Sequence, residues 1–408
     1  MNLFSRAYRK NLNHIFNQLV PRNSKVLKLN GEKPDSKKRY DYVFLINSLS
    51  YTNDAQEYIS QIKANCHTKT RVVVIYFNFF WKPILDFATF LNLRKKDARE
   101  PNWLTTNDIK NFFRLEDFEV IKSSESLLAP IDLGLVSDLI NRFIAPLPLI
   151  NNFCLNKYLI FRSIPKASDY SVSIIIPARN EEGHMRGIMK KIPKLGTATE
   201  VIFVEGHSKD NTFEAIKKEL SKYRGNLKHS LFKQQGKGKA DAVRLGFKKA
   251  KGDILMILDA DLTVDPKDLN KFYNVLAKGY GDFANGSRLV YPMEKQAMRT
   301  LNYFGNKLFS LAFTYLLGQR IKDTLCGTKV LFRSDYLIIV QNRHIFGDFD
   351  PFGDFDLLFG ATKLNLKIVE VPIRYKERIY GSTNINRLTH GLLLLKMTVF
   401  AAMKIKFT

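Results

Sequence analysis

Two aspartates, Asp259 and Asp261, follow directly after the apolar run Ile254–Leu258. A short, continuous apolar run is typical of a strand buried in a parallel sheet, and two carboxylates one residue apart after it can face the same space. Mg²⁺ and Mn²⁺ prefer oxygen ligands and commonly bridge protein carboxylates and substrate phosphates. An isolated Asp-x-Asp is more often a solvated turn, but its place after a strand favours a Mg²⁺ or Mn²⁺ site that neutralises a leaving diphosphate.

Two further apolar runs end in polar loops. Val172–Ile176 leads into Pro177–Glu181, and Glu200–Val204 leads into the acidic loop Glu205–Thr212. Ligands of open parallel sheets bind outside the carboxyl ends of the strands. The loops after all three predicted strands are therefore expected at one ligand-binding edge.

The second half of the chain resembles family 2 glycosyltransferases of the GT-A fold, especially the polyprenyl-phosphate sugar synthases related to dolichol-phosphate mannosyltransferase. The resemblance covers nearly all of Ser171–Asn386, and its matching segments keep one order along the chain. They are Pro177–Glu182, Val204–Thr212, Gly236–Gly246, Gly252-Asp253, Asp259–Pro266, Asn285–Arg288, Asp323–Lys329 and Glu370–Ile373. The resemblance implies one Rossmann-like α/β domain that transfers a sugar from a nucleotide-sugar donor.

The resemblance also implies roles for single residues. Those that match the nucleotide pocket are Pro177, Arg179, Asn180, Glu181, Glu205 and Asp210. Those that match the segment near the diphosphate are Gly238, Lys239 and Asp241. Those that match positions facing substrate phosphates are Arg288, Arg378 and Ser382. Asp259 and Asp261 would hold the metal and the sugar nucleotide.

One departure from the family and one pair of lysines leave alternatives open. The family commonly has two consecutive aspartates where this chain has Glu205-Gly206, so the base of the nucleotide stays open. Lys237 and Lys239 fit a solvated basic turn as well as they fit a phosphate contact.

The segment Phe346–Leu358 bears on the class of acceptor. Its Asp356 matches the family's acidic residue before an apolar helix. Asp356 could act as general base for a hydroxyl acceptor, whereas a phosphate acceptor is already an anion and needs no strong base. For Asp348 and Asp350 a solvated loop is the favoured interpretation. The resemblance implies inversion at the anomeric carbon and a polyprenyl phosphate acceptor, with a saccharide or another lipid hydroxyl as the alternative.

The first half, residues 1–168, has a β–α alternation that predicts a parallel sheet covered by helices. It resembles the later part of a class I methyltransferase through Tyr40–Leu45, Trp103–Thr105 and Phe118–Ile121. The loop after the first strand, Val26–Leu29, contains a single glycine, Gly31, and too few glycines to bring the backbone close to a cofactor. We interpret this half as a degenerate methyltransferase-like domain that precedes the GT-A domain, residues 169–408. The alternative is a working S-adenosylmethionine-dependent methyltransferase whose second half binds a sugar nucleotide.

Composition restricts the partners. The 408 residues carry a formal charge of +25, which suits an anionic partner. Because the charge is spread along the chain and no nucleic-acid-binding motif is present, nucleic acid is not an expected partner. Three widely spaced cysteines, without metal-type spacing, predict reduced thiols in a cytosolic protein.

The sequence contains no signal peptide and no apolar run long enough to span a bilayer, and it predicts a peripheral protein on the cytoplasmic membrane face. Two segments predict helices that lie in the interface. In Leu301–Leu317, polar residues recur every four positions beside a wide apolar face, and in Gly391–Phe407 lysines interrupt and flank short apolar runs. The alternative is that both helices pack on the first half of the chain.

Overall fold

The computed structural model describes residues 3–35, 38–91, 102–291, 300–343, 355–376, 380 and 387–408. The chain forms two compact units. The first consists of residues 1–165 with 405–408, and the second of residues 166–404. The sequence had placed residues 405–408 with the second half, and the structure packs them with the first.

The first unit is a five-stranded sheet in the order β1-β2-β3-β5-β4. Its strands are β1 (Val26–Leu29), β2 (Tyr40–Ile46), β3 (Cys66–Phe77), β4 (Phe118–Ser126) and β5 (Asn156–Ser163). Its helices are α1 (Leu3–Leu19), α2 (Ala55–Lys63), α3 (Lys82–Phe90), α4 (Thr106–Leu115) and α5 (Leu135–Leu139). The prediction of an all-parallel sheet is wrong, because β5 pairs antiparallel with both β3 and β4. Only β1, β2 and β3 run parallel.

Both faces of this sheet are covered by helices, as predicted. Ile59 and Ile62 of α2 pack with Phe113 of α4 on one face, and Ile15 and Leu19 of α1 pack on the other. Helix α4 begins with a capping box in which Thr105 Oγ1 accepts from the backbone N–H of Asp108, and the Asp108 carboxylate accepts from that of Thr105. The residues Thr105–Asp108 are a helix-start signature that is visible in the sequence itself.

The loop after β1 is closed by its own hydrogen bonds. The Gly31 N–H donates to Ser48 Oγ at 3.2 Å, and the Asn30 N–H donates to Glu32 Oε2 at 2.6 Å. The Tyr58 hydroxyl donates to the Glu32 carbonyl oxygen at 2.9 Å. These backbone groups are already bonded within the unit. The likeness of this unit to a methyltransferase stays a prediction.

The second unit is a seven-stranded mixed sheet in the order β12-β10-β11-β9-β6-β7-β8. Its strands are β6 (Val172–Ala178), β7 (Thr199–Glu205), β8 (Lys228–Lys233), β9 (Ile254–Ile257), β10 (Phe283–Ser287), β11 (Lys329–Phe332) and β12 (Ile368–Pro372). Its helices are α6 (Glu182–Met185), α7 (Ile188–Lys191), α8 (Thr212–Lys222), α9 (Gly238–Lys249), α10 (Leu269–Ala277), α11 (Thr300–Leu317), α12 (Arg333–Gln341), α13 (Phe355–Lys363) and α14 (Arg387–Ala401). The expectation of an α/β domain is confirmed.

The central strands β9, β6, β7 and β8 run parallel, so the loops after β6, β7 and β9 leave the same edge, as predicted. Helix α9 packs closely on β6, because a Cβ at Gly246 would collide with the side chain of Ile175. Gly187 separates α6 from α7, because its φ of 74° is a left-handed conformation that glycine adopts without strain.

Helix α11 lies with its polar stripe inward. Asn306 is buried, and the Ser310 and Thr314 hydroxyls both donate to the Ile321 carbonyl oxygen, at 2.6 and 3.1 Å. Leu308 and Leu311 are exposed. None of the helices in the described ranges combines the length and apolar character needed to cross a bilayer.

Candidate active site at the carboxyl edge of the second sheet

Asp259 lies just beyond β9, near three positively charged side chains. Its Oδ1 atom lies 2.6 Å from Nζ of Lys239 on α9, and the two side chains are 27% and 29% exposed. Burial raises the pKa of Asp259, but Lys239, Arg288 and Lys329 outweigh it and hold the pKa below its ordinary value. The carboxylate therefore stays ionised at neutral pH and remains within reach of a ligand from solvent.

Gly327 makes room for this ion pair. A Cβ at position 327 would collide with Oδ2 of Asp259 and with Nζ of Lys239. Sequence reasoning quoted Gly327 only as part of a matching segment and gave it no role. The place of Gly327 in the segment Asp323–Lys329 was the sequence signal for it. Its contact with Asp259, about seventy residues earlier in the chain, forms only in the folded protein.

Asp261 is half-buried and is oriented by its own turn. Its Oδ1 atom accepts from the Thr263 N–H at 3.1 Å and from the Thr263 hydroxyl at 2.8 Å. Leu262 between them has a φ of 53°, and its N–H donates to the Asp259 carbonyl oxygen at 3.2 Å. The turn thus places Asp259 and Asp261 on one short loop, and their joint role in metal binding stays a prediction.

These two carboxylates fit a hard divalent cation. They offer oxygen ligands on one short loop, which suits Mg²⁺ or Mn²⁺ better than softer metals. Within the described part of the chain, no group of three or more His, Cys, Asp or Glu residues could hold a metal ion. The remaining ligands would have to come from water and a substrate phosphate, as is usual for Mg²⁺.

Arg288 is locked by Asp323. Its Nε and Nη2 atoms donate to Oδ2 and Oδ1 of Asp323 at 2.7 and 2.8 Å, and its backbone N–H donates to Oδ2 at 3.1 Å. Burial lowers the pKa of Arg288, but Asp323 outweighs it and the pKa lies well above its ordinary value. Arg288 therefore supplies a fixed positive charge near Asp259. Its predicted contact with a substrate phosphate stays a prediction.

Two charged residues to which the sequence assigned no role, Lys329 and the half-buried Glu370, support this arrangement. Lys329 is fully buried and donates from Nζ to the Cys326 carbonyl oxygen at 2.6 Å. Glu370 accepts from the backbone N–H groups of Lys322 and Asp323, and burial raises its pKa. Both residues hold the backbone of the segment that carries Asp323 and Gly327, and Lys329 also supplies positive charge near Asp259.

The loops after β6 and β7 are bonded to each other through three of the predicted nucleotide-pocket residues. Asn180, with a φ of 57°, donates its N–H to Ser208 Oγ at 3.0 Å and accepts from the Lys209 N–H at 2.7 Å. The Glu181 N–H donates to Thr212 Oγ1, and the Glu182 N–H donates to Asp210. Asn180, Glu181 and Asp210 thus join the two loops, and their contact with a nucleotide stays a prediction.

The other three predicted nucleotide-pocket residues are Glu205, Pro177 and Arg179, and they differ in how far they are buried. The Glu205 carboxylate is 5% exposed, and its Oε1 atom accepts from the Ser208 N–H at 2.6 Å. Pro177 is half-buried within β6, and Arg179 beyond it is exposed. Of these three residues, Arg179 is the one that can reach a ligand without rearrangement.

Helix α9 begins beside Asp259. Gly238 at its first position has a φ of 87°, and Lys239 follows with its contact to Asp259. Asp241 accepts from the Gly236 N–H at 3.0 Å, and a Cβ at Gly236 would collide with that carboxylate. Asp241 therefore shapes the turn before α9, and its predicted place near the diphosphate stays a prediction. The structure brings Lys239 into the site and assigns Asp241 a supporting position.

Asp356 lies at the start of α13 and is held by two arginines. Its Oδ2 atom accepts from Arg244 Nη2 at 2.6 Å and lies 3.4 Å from Nε of Arg343, and its side chain is 7% exposed. This geometry links α13 to α9, which carries Arg244. Arg378 and Ser382 lie outside the described residues, as do Asp348 and Asp350.

Comparison with known proteins assigns the chain to a family. Residues 173–338 match the family model of glycosyl transferase family 2. The dolichyl-phosphate beta-glucosyltransferase of Mus musculus is 30% identical over 232 residues, which cover 52% of this chain and 68% of that protein. The glycosyltransferase AglJ of Haloferax volcanii is 28% identical over 223 residues, covering 54% and 68%. The chain belongs to the family 2 glycosyltransferases, and it spans about two thirds of the length of these relatives.

A solved structure was also matched. The glucosyl-3-phosphoglycerate synthase of Mycobacterium tuberculosis, in complex with Mn²⁺, UDP and glucosyl-3-phosphoglycerate, superimposes with a TM-score of 0.42 at 16% identity. The match covers 58% of this chain and 80% of that one.

Proposed function

We propose that this chain transfers a sugar from a nucleotide-sugar donor to a lipid-linked acceptor, a polyprenyl phosphate, with inversion at the anomeric carbon and on a GT-A-type domain. The observation that carries the proposal is the pair of carboxylates, Asp259 and Asp261, on one loop at the carboxyl edge of the sheet, with Lys239 bound to Asp259. A carboxylate pair among fixed cations suits a substrate that is itself a metal-bound diphosphate.

The proposed donor chemistry needs charge neutralisation above all. Asp259 and Asp261 would hold Mg²⁺ or Mn²⁺, and the ion would stabilise the negative charge of the departing nucleoside diphosphate. Lys239 and Arg288 supply further positive charge near the same carboxylate. The acceptor oxygen forms its bond to the anomeric carbon from the face opposite the diphosphate, and the electron pair of the broken C–O bond leaves with the diphosphate.

The surroundings of Asp356 favour a phosphate acceptor over a hydroxyl. A hydroxyl acceptor needs a general base within hydrogen-bond reach, and the candidate base has its Oδ2 atom bonded to Arg244. A phosphate monoester is already anionic near neutral pH and attacks without giving up a proton. The similarity to the mouse dolichyl-phosphate beta-glucosyltransferase supports the same class of acceptor.

Two helices of the second unit support work at a membrane surface, which we propose to be the cytoplasmic face of the membrane. Leu308 and Leu311 of α11 are 67% and 70% exposed. On α14 and just beyond it, exposed Leu392, Leu395, Val399 and Met403 recur at intervals of three and four, which places them on one helical face. Apolar stripes that face solvent beside lysines fit a helix lying in the bilayer interface.

A transfer assay with three acceptors tests the proposal. Radiolabelled nucleotide sugars are supplied with Mn²⁺ and, in parallel, with a polyprenyl phosphate, the matching polyprenol and an oligosaccharide. We expect label to enter the organic phase with the phosphate alone and transfer to stop with chelator. Transfer to the polyprenol or the oligosaccharide alone would contradict the acceptor assignment.

The variant Asp356→Asn distinguishes the two acceptor classes within the same assay. If Asp356 served as general base, the variant would lose about 10²–10⁴-fold in kcat and the acidic limb of the pH profile of kcat. We expect the shape of that profile to be unchanged, because a phosphate acceptor needs no base.

A further inference from the structure

Helix α3 in the first unit turns an apolar face to solvent. Leu85 is its one buried residue. Ile84, Phe87 and Leu91 recur at intervals of three and four, so they share one face, and Phe87 and Phe90 are 62% and 80% exposed. A helix on the surface of a globular protein normally has the opposite arrangement, with apolar residues facing the core.

Residues 131–153 show the same inversion. Leu135, Leu139 and Phe143 follow one another at intervals of four along α5 and the π-helical turn Ile140–Ile144, and Leu135 is 80% exposed. The residues that face the interior of the unit are small, namely Ser137 and Ala145. Large apolar side chains therefore lie in solvent while small ones occupy the buried positions.

The two segments form one continuous surface. The rings of Phe80 and Phe153 meet edge to face with centroids 5.2 Å apart. Trp81 donates from Nε1 to the Phe153 carbonyl oxygen at 2.8 Å, and Asn78 donates from Nδ2 to the Asn152 carbonyl oxygen at 2.7 Å. We define the docking face as the exposed apolar side chains of residues 79–91, which include α3, and of residues 131–153. A contiguous apolar surface of this kind marks an interaction site.

The charges on this face suit an anionic surface. Its described segments contain three acidic residues, and each is paired with a basic one: Asp86 with Lys82 at 2.6 Å, Asp138 with Lys10 at 2.9 Å, and Asp132 with Lys10 and Arg6 at 3.7 and 3.9 Å. Exposed Arg142 adds a further positive charge. The described part of the face therefore carries no net negative charge that would repel anionic headgroups.

We infer that the docking face inserts shallowly into an anionic lipid bilayer, so that the first unit is a membrane-docking unit. Exposed Phe and Leu side chains, a tryptophan at the edge and basic residues around them are the composition of segments that lie in the interface. The choice of a bilayer over a protein partner rests on the proposed lipid-linked acceptor. The docking face lies in a different unit from α11 and α14, and it adds a second attachment to the membrane.

Vesicle flotation with the full chain tests this inference. The docking-face variant Phe87→Glu/Leu139→Glu changes two exposed residues. The control variant Leu115→Glu/Leu337→Glu changes two leucines that are 57% and 48% exposed outside the face. On vesicles of phosphatidylcholine and phosphatidylglycerol, we expect the docking-face variant to partition about tenfold or more weakly than the unchanged chain. The control should partition within about twofold of it, and melting curves should show that both variants fold.

Tryptophan fluorescence reports on the first unit alone. The chain has two tryptophans, Trp81 and Trp103, both in that unit, and Trp81 is at the docking face. Brominated lipids should quench them in the unchanged chain and in the variant Leu395→Glu/Val399→Glu of α14, and should fail to quench them in the docking-face variant. Unchanged flotation and quenching in the docking-face variant would overturn the inference. A lipid-free dimer that this variant dissociates would overturn it in favour of self-association.

Failure of the proposed function can be told apart from failure of this inference. Transfer to a water-soluble, short-chain prenyl phosphate needs no membrane, so the docking-face variant should retain the turnover of the unchanged chain with it and lose turnover with a long-chain acceptor in vesicles. If no prenyl phosphate is used at all, the proposed function fails, while flotation and quenching still decide the docking face.

Discussion

The substitution Asp323→Asn is expected to destabilise the second unit strongly, because it removes the partner of a buried guanidinium. Asp323 is completely buried and accepts three hydrogen bonds from Arg288, at 2.7, 2.8 and 3.1 Å. An asparagine of the same shape keeps one acceptor, loses the negative charge and turns an N–H₂ group toward other donors. Arg288 would then be left buried without a counter-ion.

The magnitude follows from the burial of the pair. Removing one partner of a buried ion pair costs about 3–5 kcal/mol. For a unit of this size each kcal/mol lowers Tm by about 2–4 °C, so we expect a loss of about 10 °C. Calorimetry and urea unfolding on the full chain would measure it. A Tm within about 2 °C of the unchanged chain would refute the prediction that the ion pair between Arg288 and Asp323 stabilises the fold.

Two controls sharpen this prediction. Asp265→Asn removes a carboxylate whose ion pair with Lys376, at 3.0 Å, is solvent-exposed, and it should cost at most about 1 kcal/mol. The double substitution Arg288→Met/Asp323→Leu removes both charges and should recover much of the lost stability, while sugar transfer should stay low because the fixed positive charge near Asp259 is gone.

Three further outcomes are expected. Burial raises the pKa of Asp323, but Arg288 outweighs burial and holds the pKa below its ordinary value. The stabilisation that the Asp323 carboxylate gives to the fold is therefore present above about pH 4 and is lost as the pH falls through the folded-state pKa. The unfolding free energies of Asp323→Asn and of the unchanged chain should converge in acid. Gly327→Ala should reduce kcat/KM at least about tenfold, because its Cβ would displace Asp259 and Lys239. Gly305→Ala, which has open space around the new Cβ, should leave kcat/KM unchanged. Equal effects of the two substitutions would argue against a close contact between Gly327 and the Asp259–Lys239 pair. Calorimetry with S-adenosylmethionine should show no binding, because the loop around Gly31 is closed by its own hydrogen bonds, and micromolar affinity would contradict this.

Local sequence signals located the strands and the edge that carries the site. The run Val26–Leu29 and the capping box at Thr105 appear in the structure where the pattern put them. Asp259 and Asp261 were found because a buried strand ends just before them. Apolar periodicity and capping are short-range properties, so one sequence suffices to read them.

Long-range pairing was not readable in the same way. The antiparallel β5 lies between β3 and β4 because of contacts that span tens of residues, and β-propensity carries no strand order. The stripe on α11 was visible, but periodicity cannot say which face is buried, and Ser310 and Thr314 lie inward because Ile321 offers them a carbonyl oxygen. Likewise the partners of Arg288 and Asp356 come from distant segments, so their locked geometry appears only in the fold.

The most direct test of the central claim is sugar transfer by Asp261→Ala, measured with saturating Mn²⁺ beside a melting curve. Asp261 is half-buried, and its Oδ1 atom is bonded within its own turn to Thr263, so the second unit should keep its fold with a small loss of Tm. We predict that transfer from the nucleotide sugar to a polyprenyl phosphate is abolished and is not restored by more Mn²⁺ or Mg²⁺. Near-normal turnover by a folded Asp261→Ala variant would contradict the assignment of Asp259 and Asp261 as the donor and metal site.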